Sequence, residues 1–193
     1  RINSGSVLPP SEYLVAKIVH AETKPWYGGR YYVDLIKPGV TQKFLELTID
    51  AYKRGVGDEF GKRVPGVFTD EPHLVPAGDL HWTDDLEIVF QKRWGYSLIE
   101  NLPSLLHSTG NWKQVRYNYY QTLTELFIDR WAKPYYQYCD KNNLEFTGHY
   151  WEHEWPRCTR VQDNMAMSAW QQRPGFDILM NQYSEDVHAQ FGS

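Results

Sequence analysis

In the stretch VPGVFTDEPHL (64–74), an apolar run through Val67 and Phe68 leads straight into Asp70 and Glu71, with Pro72 and His73 behind them. A carboxyl group set against apolar residues is partly withdrawn from water, which raises its affinity for a proton and suits it to general-acid work. Acid and histidine recur together at three other places: His20 with Glu22, Glu152 with His153 and Glu154, and Glu185 with Asp186 and His188. Charged residues commonly follow strands and then do no more than solvate them. Four such stations with Trp and Tyr close by suggest shared chemistry instead. Two opposed carboxyl groups are what glycosidic-bond hydrolysis requires, one protonating the leaving oxygen and the other activating water or attacking the anomeric carbon. Their separation sets the outcome: about 5–5.5 Å for retention, about 6.5–9.5 Å for inversion. The catalytic candidates are Glu71, Glu152 and Glu154. The substrate-binding candidates are Asp70, His73, His149, Trp151, His153, Trp155, Glu185, Asp186 and His188.

Other chemistries find less support. His149 and His153 are spaced i, i+4, but they lie outside an HExxH pattern and outside any convincing helix, so a catalytic zinc is a minor alternative. No GxSxG, Walker A or GxGxxG sequence occurs. A hard cation such as calcium could be held by Asp and Glu oxygens, but no motif places it.

The elements that must position these residues alternate in type. A β-rich run spans 12–22. A helix is predicted from Pro38 to Gly55, with Val40, Phe44, Leu47 and Ala51 on one stripe. A strand covers 64–70, and a helix follows over 83–95 with Thr83 as its N-cap. Residues 97–107 suggest a short helix pair. The longest helix runs through 111–143 and is kinked at Pro134. Strands are predicted at 144–156 and at about 176–181. In the first of these, alternation places Glu152 and Glu154 on one face and His149, Trp151, His153 and Trp155 on the other. Strands alternating with helices favour a parallel sheet with crossover helices, an α/β fold whose functional face is the carboxyl end of the strands. Four strands in 193 residues fall short of the ~250 residues of a whole (β/α)8 barrel. The expectation is therefore a single domain over 1–193 forming a partial TIM-type barrel.

Composition sets the outer bounds. The net charge of −4 leaves no basic footprint for nucleic acid, and no apolar run is long enough to span a membrane. Aromatic residues make up 16% of the chain, including 8 Trp and 14 Tyr, which suits the C–H-rich faces of sugars as well as a core. Cys139 and Cys158 are too few for a disulfide framework. The opening RINSGSVLPP has no initiator Met and no signal-peptide core, as expected of a piece of a longer protein.

Taken in order, GVFTDEPH, GHYWEHEWP and LMNQYSEDVHAQFG resemble the catalytic barrel of large bacterial glycosidases of glycoside hydrolase family 106, the α-L-rhamnosidases. The Asp-Glu-Pro is also similar to the Asn-Glu-Pro that ends the fourth strand in clan A glycosidases, whose Glu is the acid/base. The resemblance implies a (β/α)8 barrel with added β-sandwich domains. It also implies inverting hydrolysis of terminal rhamnose from plant or bacterial polysaccharides, calcium near the sugar, and a periplasmic or extracellular location. It makes Glu71 the general acid and Glu152 the preferred general base, with Glu154 next. No cofactor is needed for the chemistry itself. Asp70 departs from the Asn of clan A. The unpaired edges of a half-barrel call for the rest of the parent polypeptide, or a second copy, to complete it. The alternatives are a non-catalytic carbohydrate-binding fragment and a metal-dependent hydrolase.

Overall fold

The computed structural model describes residues 15–74, 80–153 and 159–177. Helices α1 (Val40–Leu47) and α2 (Ile49–Val56) open the regular structure, followed by strand β1 (Gly66–Asp70). Helices α3 (Leu86–Trp94), α4 (Leu102–Leu106) and α5 (Trp112–Phe127) come next. A π-helical turn, Ile128–Ala132, leads from α5 into α6 (Lys133–Lys141). Strand β2 (Glu145–His149), helix α7 (Asn164–Ser168) and the short strand β3 (Arg173–Pro174) complete the order.

The helix predicted from Pro38 to Gly55 is broken at Thr48, whose φ of −106° and ψ of −81° are not helical. Its hydroxyl donates to the Phe44 carbonyl at 2.6 Å, the back-bonding by which Thr bends helices. The kink expected at Pro134 takes the form of the π turn immediately before it. Proline has no N–H for the carbonyl four residues back, which denies the Arg130 carbonyl its usual α-helical donor. The buried Thr41 hydroxyl of α1 donates to that carbonyl at 2.5 Å. A buried carbonyl left unpaired would cost about 1–3 kcal/mol, so Thr41 fixes where α1 docks. Thr83 does not cap α3; Asp85 occupies that position, and its carboxylate is bidentate with Arg130 at 2.7 and 2.9 Å.

Among the described residues the sheet has three parallel strands in the order β1-β2-β3. One face packs on the helices: Val67 lies opposite Phe146 and Thr69 opposite Gly148, and Phe146 stacks on Tyr135 of α6 at 4.3 Å. Phe90, Tyr119, Leu123 and Phe127 fill the core with them. On the other face Phe68 is 64% exposed, while His149 is buried at its carboxyl end. Gly148 allows β1 and β2 to approach: its φ is +126°, and a Cβ would meet the Thr69 carbonyl oxygen at 2.0 Å.

Two predicted strands need correction. Residues 15–22 form no strand and are mostly exposed, because that β-rich run has no partner to pair with here. The strand expected at about 176–181 falls mostly outside the described residues, which end at 177, and the two-residue β3 lies just before it at 173–174. Residues 1–14 also lie outside the described ones. The third predicted strand stops at His149, so the alternation of faces drawn through Trp155 does not hold.

Candidate active site

Parallel pairing brings Asp70 and His149 level at the carboxyl ends of β1 and β2. The ladder extends one residue further, with the Glu71 N–H donating to the His149 carbonyl at 3.0 Å. There the backbone turns sharply. Glu71 has φ +48°, a left-handed conformation that side chains with a Cβ rarely adopt and that costs ~1–3 kcal/mol. The extended geometry expected ahead of Pro72 is not found.

The surroundings hold Glu71 in this strained state. Its carbonyl accepts from His73 Nδ1 at 2.6 Å, which fixes the proton of that ring on Nδ1. Its carboxylate Oε1 meets His153 Nε2 at 2.5 Å. His149 lies between two acids, with Nε2 3.3 Å from Asp70 Oδ1 and Nδ1 3.6 Å from Glu152 Oε1. The latter distance is too long for a hydrogen bond. Both carboxylate oxygens of Glu152 are thus buried with no hydrogen-bond partner among the described residues. Burial pushes its carboxyl pKa up, and negative Glu71 adds to the rise, while His149 and His153 oppose it.

Behind the acids the rings form a column. Tyr32 stacks on His73 with centroids 4.8 Å apart, His73 lies 4.8 Å from Trp151, and Trp151 lies 4.9 Å from His153. The Tyr32 oxygen accepts the His73 backbone N–H at 3.3 Å. Burial pushes the Tyr32 hydroxyl up to about 12, so it stays a neutral phenol. The Arg160 guanidinium lies 4.6 Å from the Trp151 ring centroid, and the Trp151 carbonyl accepts from Asn164 Nδ2 at 3.3 Å.

Of the predicted site residues, the fold gathers Asp70, Glu71, His73, His149, Trp151, Glu152 and His153. Glu154, Trp155, Glu185, Asp186 and His188 lie outside the described residues. His20 packs against Tyr31 at 5.9 Å. Trp151, expected as a sugar platform, has its indole engaged by His73, His153 and Arg160. Sequence reasoning missed Tyr32, Arg160 and Asn164. Nothing in the periodicity marks them, since each reaches the cluster from a loop or from the start of a helix.

Glu71, His149 and Glu152 each offer one donor atom, and these atoms lie within 4.8 Å of one another. Calcium takes 6–8 oxygen ligands. One imidazole nitrogen and two carboxylate oxygens do not make such a cage, so the calcium expected from the resemblance does not fit the described cluster. One carboxylate oxygen of Glu71 and one of Glu152 lie within that same 4.8 Å of each other.

Carboxyl groups gathered at the carboxyl ends of parallel strands, with helices behind, mark the working face of an α/β protein equipped for carboxyl-group chemistry. The family model of glycoside hydrolase family 106, alpha-L-rhamnosidase, matches residues 25–189, and the chain belongs to that family. Among solved structures, the rhamnosidase from Novosphingobium sp. PP1Y is similar in fold, with a TM-score of 0.57 and 24% identity. The likeness covers 73% of this chain and 13% of the rhamnosidase. The search of curated proteins gave no match.

Proposed function

We propose that the chain supplies part of the active site of an α-L-rhamnosidase-like glycoside hydrolase, with Glu71 protonating the leaving oxygen. The observation that carries this is the placing of Glu71 at the end of a parallel strand, strained and held at its N–H, carbonyl and carboxylate. Orientation of this kind is what a proton donor needs, because the proton must lie within hydrogen-bond reach of the oxygen it is given to. Of the two glutamates in the cluster, Glu71 has the more exposed side chain, 24% against 11% for Glu152, so of the two Glu71 is the better placed to reach substrate.

Asp70 and Glu152 hold His149 from either side, and Glu152 stands beside Glu71 as a carboxyl group kept toward its neutral form. The opposing carboxylate that activates water then lies elsewhere, with Glu154, Glu185 and Asp186 as candidates. The small parallel sheet with helices against it supports a partial (β/α)8 barrel, a single domain over 1–193, completed by other strands of a parent polypeptide or by a second copy. Its substrates would be terminal sugars of polysaccharides met outside the cytoplasm. No step is assigned to a cation.

A second reading makes Glu152 the donor, favoured by its burial-raised proton affinity. The test is hydrolysis of p-nitrophenyl α-L-rhamnopyranoside by the protein at its native length. Glu71→Gln is expected to abolish turnover while the fold persists by circular dichroism. Wild-type turnover in that variant would refute the assignment.

A further inference from the structure

On the reading that Glu71 is the proton donor, we propose that Tyr32 and Trp151 are positioning residues: the ring column Tyr32–His73–Trp151–His153 aims the Glu71 carboxyl group, and the Trp151 ring is not a sugar platform. The column begins and ends on one residue. His73 holds the Glu71 carbonyl and His153 holds its carboxylate. The two histidines come from different segments, and the Trp151 ring between them, 4.8 and 4.9 Å from each, sets their spacing. Tyr32, from a third segment, covers His73 at 4.8 Å and accepts its backbone N–H.

A tilt of any ring is passed to His153 Nε2, and so to the oxygen that must face the glycosidic bond. The position of Glu71 needs this help. Its left-handed backbone ahead of Pro72 is not one that the chain adopts unaided. A sugar platform, by contrast, needs a free ring face, and the Trp151 ring is engaged by His73, His153 and Arg160.

The test compares Trp151→Leu, Trp151→Phe, Tyr32→Leu and Tyr32→Phe in the protein at its native length, with phenyl and 2,4-dinitrophenyl α-L-rhamnosides. A displaced acid costs most when the leaving group is poor. For the phenyl substrate, the Leu variants are expected to lose about 10- to 100-fold in kcat, with KM changed less than about twofold. The dinitrophenyl substrate should lose far less, and Trp151→Phe should recover most of the loss. A rise in KM with kcat unchanged, or an equal loss on both substrates, would overturn the proposal.

If the Leu variants do not fold, Tyr32→Phe decides. A kcat loss confined to the phenyl substrate supports the column, and wild-type kinetics overturns it. Glu71→Gln, run in parallel, separates the two claims. If that variant is dead on the phenyl substrate while the ring variants behave as wild type, only the column fails. If it turns over the phenyl substrate normally, the acid assignment fails and the column has nothing to aim.

Discussion

Strain at Glu71 can be tested apart from catalysis by replacing it with Gly and with Ala. Both substitutions remove the carboxylate and its contact with His153, so those losses cancel in the comparison. What differs is the Cβ at φ +48°. Holding an L-residue in the left-handed region costs roughly 1–2 kcal/mol, and a Cβ ahead of proline adds crowding. Opposing this, Ala is favoured over Gly by about 0.4–1 kcal/mol through the lower entropy of its unfolded chain. At the middle of these ranges the difference leaves Glu71→Gly more stable than Glu71→Ala by about 0.8 kcal/mol, the reverse of the order at most positions. For a chain of this size that corresponds to roughly 1–4 °C in Tm. Urea unfolding followed by circular dichroism, with m-values checked for constancy, measures it directly. An Ala variant equal to or more stable than the Gly variant would show that the backbone at Glu71 is not strained.

Three other outcomes follow from the packing and the charges. Gly148→Ala places a Cβ 2.0 Å from the Thr69 carbonyl oxygen and 2.8 Å from its nitrogen, at φ +126°. Both obstacles are backbone, so a loss of about 4 kcal/mol or more is expected, read as absence of a cooperative thermal transition. Asp85 is held below the ordinary carboxylate value of 3.8, chiefly by hydrogen bonds from Arg130 and against a desolvation that raises it. A depressed folded-state value means that its stabilisation is present above about pH 4 and fades as the pH falls through the folded pKa. The stability gap between wild type and Asp85→Asn should therefore narrow between pH 6 and pH 3 in urea titrations. Burial pushes the Cys139 thiol up to about 12, so in a Cys158→Ser background it should resist a thiol reagent at pH 8 until the chain unfolds. Reaction at the rate of a free thiol in the native state would contradict its burial.

Where the sequence was legible, the cue was local. The Pro134 kink, the strand ending at Asp70 and the acid–histidine grouping all follow from residues whose effect is felt within a few positions. What failed depended mostly on distant partners, the exception being Thr48, whose bond to the Phe44 carbonyl breaks a helix that the apolar stripe would have continued. Residues 15–22 have strand composition but pair with no strand among the described residues. The segment after β2 leaves extended geometry at Tyr150, so Glu152 and His149, expected on opposite faces, face each other instead. The left-handed turn at Glu71 was hidden for the same reason. Proline makes that conformation unfavourable locally, and only contacts from residues 73, 149 and 153 impose it. Tyr32 joins the site from 39 positions away from Glu71 by sequence number, through a ring contact that no spacing rule anticipates.

The role of Glu71 is tested most directly by the leaving-group dependence of Glu71→Gln and Glu152→Gln across a series of aryl α-L-rhamnosides. If Glu71 is the proton donor, its Gln variant loses turnover steeply as the leaving group becomes poorer and keeps much of it with dinitrophenol. Glu152→Gln should then lower all members of the series by a similar factor. A steep dependence in Glu152→Gln with a flat one in Glu71→Gln would contradict the assignment and place the proton on Glu152.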